Sequence, residues 1–88
     1  MDRYEWDEAK YQANLRKHGT AFELVYDFDW IGAFVEADQR FDYGEERFVA
    51  YGRVGERGYA LVFVRRGDRV RIISLRPAHE KEMRRYDV

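Results

Sequence analysis

Two short glycine-bearing interruptions cut residues 47–76 into three β-type runs, and this punctuation constrains the chain more than any other feature. Arg47 to Val54, Tyr59 to Arg66 and Arg69 to Arg76 are rich in β-branched and aromatic residues. The segments between them, Gly55-Glu56-Arg57-Gly58 and Gly67-Asp68, leave room only for a reversal. Three sequential antiparallel strands follow, a meander. Along the last run Val70, Ile72, Ser74 and Arg76 share one face by simple alternation, and Arg69, Arg71, Ile73 and Leu75 the other. Ala33 to Ala37 reads as a shorter strand, and Arg40 to Glu46 as a polar turn region before the meander.

The stretch before these strands has helical signals. Asp7 suits an N-cap and Gly19 a left-handed terminator, with Lys17 and His18 complementing the dipole in the last turn, so a helix is expected over about 7–18. Ala9, Ala13 and Leu15 are its candidates for an inner side. Thr20-Ala21-Phe22-Glu23 has the spacing of a capping box and opens a second short helix to about Phe28. After the strands, Pro77 suits the first turn of a last helix reaching Tyr86, in which Glu80 and Arg84 stand four apart and can pair. Helices grouped away from a run of antiparallel strands imply a two-layer α+β fold: two N-terminal helices, a meander sheet and a C-terminal helix. With 88 residues there is material for one core, so residues 1–88 form a single domain.

The absence of cysteine rules out disulfides and thiolate metal sites, and a cytoplasmic setting fits. No apolar stretch is long enough for a bilayer, and the start of the chain lacks the features of a secretory signal. The two histidines and scattered carboxylates show no metal-ligand spacing, and no cofactor motif is present. The net charge of −1 conceals a division: residues 1–50 carry 12 acidic and 6 basic side chains, residues 51–88 carry 5 and 10. A basic half can attract phosphate, and an acidic half can meet a basic partner.

Three segments carry a specific likeness. Tyr4-Glu5-Trp6-Asp7-Glu8-Ala9-Lys10 with Asn14-Leu15-Arg16-Lys17-His18-Gly19-Thr20-Ala21-Phe22-Glu23, then Tyr43-Gly44-Glu45-Glu46-Arg47-Phe48, then Arg71-Ile72-Ile73-Ser74-Leu75-Arg76-Pro77-Ala78 occur in that order. Together they resemble the BrnT family of toxins, over nearly the whole chain. Pro77 and the slightly acidic net charge depart from that family's pattern. The resemblance implies a RelE-like fold, metal-independent endoribonuclease activity that inhibits translation, and a BrnA-type antitoxin with a ribbon-helix-helix domain. It also implies a hetero-oligomer that reaches operator DNA only through the antitoxin.

Metal-free RNA cleavage requires a base for the ribose 2′-hydroxyl, a proton for the departing 5′-oxygen and cations around the phosphate. His18 is the first candidate for proton transfer because imidazole titrates near neutrality; its structural alternative is to complement the helix end. Glu46 is a second candidate base, and Arg47 and Arg76 are candidate catalytic cations, since arginine keeps its proton. Arg76 ends a strand beside the last helix, where it and backbone N–H groups can hold a phosphate. Lys17, Arg53, Arg65, Arg71, Arg84 and Tyr86 are candidate RNA-binding residues. An antitoxin arm is expected to pack on a basic sheet face and occlude Arg53, Arg65 and Arg76. The competing reading is a module that binds RNA or antitoxin without chemistry.

Overall fold

The computed structural model describes residues 3–38 and 44–88. The expected turn over 40–46 lies outside the described residues apart from Gly44, Glu45 and Glu46. Strand β1 (Tyr4–Trp6) is followed by helix α1 (Glu8–His18), a 3₁₀ helix (Phe22–Asp27), strands β2 (Phe34–Asp38), β3 (Arg47–Val54), β4 (Arg57–Arg66) and β5 (Arg69–Pro77), and helix α2 (Glu80–Arg85). The five strands form one sheet in the order β1-β5-β4-β3-β2.

The meander forms as its punctuation requires. Val54 pairs with Arg57 and Arg66 with Arg69, so each reversal is a two-residue loop, with Gly55 and Gly67 in the left-handed conformation at φ 61° and 62°. The sheet is nevertheless mixed rather than antiparallel: Tyr4, Glu5 and Trp6 pair in parallel with Val70, Arg71 and Ile72. A three-residue strand carries too little periodicity to be recognised before its partner is known. The strand expected at 33–37 lies one residue later, over Phe34–Asp38.

Helix α1 is capped as expected. The Asp7 carboxylate accepts from the Lys10 N–H at 3.0 Å, and Gly19, at φ 63°, donates its N–H to the Leu15 carbonyl at 2.9 Å. Its inner side differs: Ala9 and Ala13 are exposed, and the residue it buries is Asn14. The second N-terminal helix is a 3₁₀ helix, and the capping box does not form. The Thr20 hydroxyl turns back to donate to the His18 carbonyl at 3.0 Å, while the Glu23 carboxylate accepts from the Tyr11 hydroxyl. Pro77 ends β5 opposite Tyr59 rather than opening a helix; proline is tolerated at a strand's last position, and α2 starts only after His79. Glu80 makes its salt bridge with Arg53 at 2.9 Å, and Arg84 adds only a weaker charge attraction.

The α1 and 3₁₀ layer covers one sheet face, burying Phe22, Val25 and Phe28 against Ala50, Leu61, Ile72 and Leu75. Gly52 admits the Phe28 ring, since a Cβ there would stand 2.5 Å from Phe28 Cζ. Ile72 and Leu75 are both fully buried, which simple alternation forbids. A bulge explains it: Phe63 pairs with Ile72 but Val62 with Ser74, so Ile73 is an extra residue that resets the phase. Beyond the bulge Leu75 faces the core, and Ser74 and Arg76 turn to the opposite face with Arg69 and Arg71. The shared face expected for Ile72, Ser74 and Arg76 is thereby overturned.

Where β1 ends, the edge of β5 is sealed by a side chain. The Asn14 carboxamide donates to the carbonyls of Leu75 at 2.8 Å and Thr20 at 3.0 Å, and accepts from the Leu75 N–H at 3.1 Å. It stands in for the next residue of a strand and fixes α1 on β5.

Candidate active site

The face away from the α1 layer carries a cleft of about 410 Å³ lined by Lys17 and His18 from the end of α1, Glu36 and Asp38 from β2, and Tyr51, Ser74, Arg76 and Tyr86. Local backbone features place its parts. The Gly19 stop sets His18 at the helix end, and the bulge at Ile73 turns Ser74 and Arg76 toward it. Helix α2 closes one side. Its Met83 is fully buried against Gly58, where a Cβ would lie 2.5 Å from Met83 Cγ. Tyr86 stacks on Tyr51, with centroids 4.1 Å apart, and on Phe34 at 5.0 Å.

The electrostatics favour a neutral imidazole. Burial first, then the charges of Lys17 and Arg76, hold His18 below its ordinary value of 6.5. A neutral ring can accept a proton at neutral pH. Tyr51 is pushed up to about 12 by burial and by its hydrogen bond and charge interaction with Tyr86, so at neutral pH it is protonated and has a proton to donate.

Arg76 is held by an internal anion. Both its terminal nitrogens meet the Glu82 carboxylate, at 3.0 and 2.9 Å, and it also donates to the Pro77 carbonyl at 3.2 Å. Glu82 further accepts from the His79 N–H at 3.2 Å, so a carboxylate occupies the position beside the last helix that suits a phosphate on sequence grounds. The Arg76 bonds are the main reason that Glu82 falls to about 2. The sign of the resulting acid dependence is fixed: a depressed carboxylate contributes stability above its ordinary value of 4.5 and loses it as pH falls toward about 2. Glu82→Gln is therefore expected to lower the melting temperature at neutral pH, with the gap from the wild type closing between those values. Thermal melts across the acid range measure it; a constant gap would show that the pair contributes nothing.

Of the residues singled out by sequence, the cleft brings together Lys17, His18, Arg76 and Tyr86. Arg53 is on the same face but bound to Glu80 at 2.9 Å and to the Val88 carbonyl at 3.1 Å. Arg71 is bound to Glu5 at 2.8 Å. Arg47, partly buried opposite Asp38, lies on that face beside the cleft. Glu46 is exposed ahead of β3, and Arg84 is exposed on α2. Arg65 stands opposite Val70 and lines a different cleft on the other face, so no single arm laid on one face covers Arg53, Arg65 and Arg76 together. Sequence reasoning missed Glu36, Asp38, Tyr51 and Ser74. Tyr51 was legible, since it alternates in phase with Arg53 on β3. Ser74 was legible in the same way, in phase with Arg76 on β5; what left no sequence signal was the bulge that turns both away from the face of Ile72.

Among the described residues no group of three or more His, Asp or Glu side chains is placed to hold a metal ion, and no helix is long and apolar enough to cross a membrane.

Residues 6–82 match the family described as the ribonuclease toxin, BrnT, of type II toxin–antitoxin systems. The fold is similar to that of the Brucella abortus ribonuclease toxin BrnT, known from a 1.1 Å crystal structure. The two share 29% sequence identity with a TM-score of 0.71, over 90% of this chain and 99% of the Brucella chain. No curated protein matches the chain in sequence. Motifs, architecture and match agree over most of its length: this chain belongs to the BrnT family of ribonuclease toxins of type II toxin–antitoxin systems.

Proposed function

We propose that the chain is a metal-independent endoribonuclease that cuts RNA in the cytoplasm and so stops translation. In this reading a BrnA-type ribbon-helix-helix antitoxin neutralises it within a hetero-oligomer, and that antitoxin supplies all contact with operator DNA. The observation that carries the reading is the pairing, in one cleft, of an imidazole held neutral with two cations, Lys17 and Arg76. His18 takes the 2′-hydroxyl proton as the 2′-oxygen attacks phosphorus. Lys17 and Arg76 balance the charge that builds on the phosphoryl oxygens. Tyr51 gives a proton to the departing 5′-oxygen, and the products are a 2′,3′-cyclic phosphate and a 5′-hydroxyl.

One observation favours the second reading, a binding module without chemistry: Arg53 and Arg76 are already paired with Glu80 and Glu82. Incubating purified protein with end-labelled RNA in EDTA separates the two. Cleavage to cyclic-phosphate ends is expected, and Arg76→Ala should slow it by about tenfold or more, as loss of a charge-assisted phosphate contact worth about 1.5–3 kcal/mol predicts. RNA that is bound yet stays intact assigns the chain to the second reading.

A further inference from the structure

The second cleft, of about 460 Å³, opens on the helix-covered face of the sheet, at the end where Val70 and Arg65 stand beside the last hairpin. Trp30, Phe48 and Phe63 line it in one aromatic cluster, Trp30 and Phe48 both packing on Phe63 at 5.2 and 5.6 Å between centroids. The apolar surface continues outward: Ile31 is fully exposed, Val35 is 43% exposed, and Tyr26, 50% exposed, packs on the lining residue Tyr4. Arg3 and Arg65 border this surface with a single carboxylate, Asp68, and Arg69, which alternates to the other face, joins the border at the hairpin end of β5. None of the three guanidiniums has an ion pair or hydrogen-bond partner among the described residues. That sets them apart from Arg53, Arg71 and Arg76, which fold-internal carboxylates hold.

We propose that this cleft docks a segment of a partner protein, one that inserts an aliphatic or aromatic side chain flanked by carboxylates. The flanking charge follows from the rim, three arginines against one aspartate, and the anchor from the aromatic lining. RNA fits less well. The Trp30 indole N–H already donates to the Tyr4 hydroxyl at 2.8 Å, so the lining offers few polar atoms to read a base edge. An exposed apolar surface with a charged border is also what a masked protein keeps for its mask. Under the toxin reading, on which the partner's identity rests, the segment belongs to the antitoxin. It then grips the face opposite the RNA cleft and leaves Arg76 untouched.

The test uses the full chain and, as probe, the purified product of the gene adjacent to its own, labelled with fluorescein. The wild type, a Val35→Asp/Arg69→Glu double variant and Arg3→Glu are titrated by fluorescence anisotropy, with circular dichroism confirming that each is folded. Each free protein is also assayed for RNA binding and for cleavage in EDTA. The double variant should bind the probe at least about 30-fold more weakly, and Arg3→Glu more weakly in the same direction, while cleavage stays within about twofold of the wild type. Probe binding within about threefold of the wild type in both variants overturns the proposal, given how strongly charge reversal weakens a charge-matched contact. Loss of RNA binding with probe binding kept overturns it too, and assigns the cleft to nucleic acid. A wild type that cuts RNA but does not bind the probe sinks the docking proposal alone; one that does neither sinks the toxin reading with it.

Discussion

His18→Ala should lower the rate of RNA cleavage on the order of 100-fold, because a positioned general base contributes about 10²–10⁴-fold. Binding of RNA should change far less, since Lys17 and Arg76 remain in the cleft. The pH profile distinguishes this role from a merely structural one. Burial, Lys17 and Arg76 hold the imidazole below 6.5, so the rate should rise as pH climbs through a midpoint under that value and then level off. Lys17→Met removes one of the two repelling charges and should move the midpoint upward. Single-turnover cleavage of a labelled RNA, followed across the acid-to-neutral range, supplies both numbers. An alanine variant that keeps a comparable rate would remove His18 from the chemistry, as would a limb indifferent to Lys17.

The largest expected effect on stability belongs to a residue remote from chemistry. Asn14→Leu conserves bulk at a site only 5% exposed but deprives the Leu75 N–H and the Leu75 and Thr20 carbonyls of their partner. Buried polar groups left unsatisfied cost about 1–3 kcal/mol each, and carbonyls, with a second lone pair, sit at the low end. A total of about 3 kcal/mol is expected, which lowers Tm by about 15 °C in a domain of this size. Urea denaturation and thermal melts measure it. Asn14→Asp is an informative companion, because it keeps the acceptor for the Leu75 N–H and loses both donors. A leucine variant as stable as the wild type would show that the edge of β5 needs no seal.

The features that the sequence made legible are those encoded locally. The three long strands announce themselves through alternation and the Gly55 and Gly67 turns, and α1 through Asp7 and Gly19. What stayed hidden depends on a distant partner. Tyr4–Trp6 becomes a strand only because β5 accepts it, and Thr20 abandons its capping box for the carbonyl of His18. The candidate site divides in the same way. Lys17, His18, Arg76 and Tyr86 were readable from residue type and from the family likeness, and the cleft does gather them. That Arg53 and Arg71 are bound to Glu80 and Glu5 was not, because a charge seen in sequence does not show which carboxylate faces it. Nor was the departure of Arg65 to the opposite face.

The parallel pairing of β1 with β5 and the Asn14 seal, whose partners lie 61 positions apart, bear on when this protein acquires its activity. During vectorial synthesis α1 leaves the ribosome long before the strand on which it must rest. Non-local pairings of this kind form late, after the intervening loop has been closed. His18 and Arg76 therefore share a cleft only once the last hairpin is made, and Tyr86 joins them later still. Under the proposed function, a nascent fragment that stops short of β5 lacks Ser74 and Arg76 and so has no cleft in which to cut RNA.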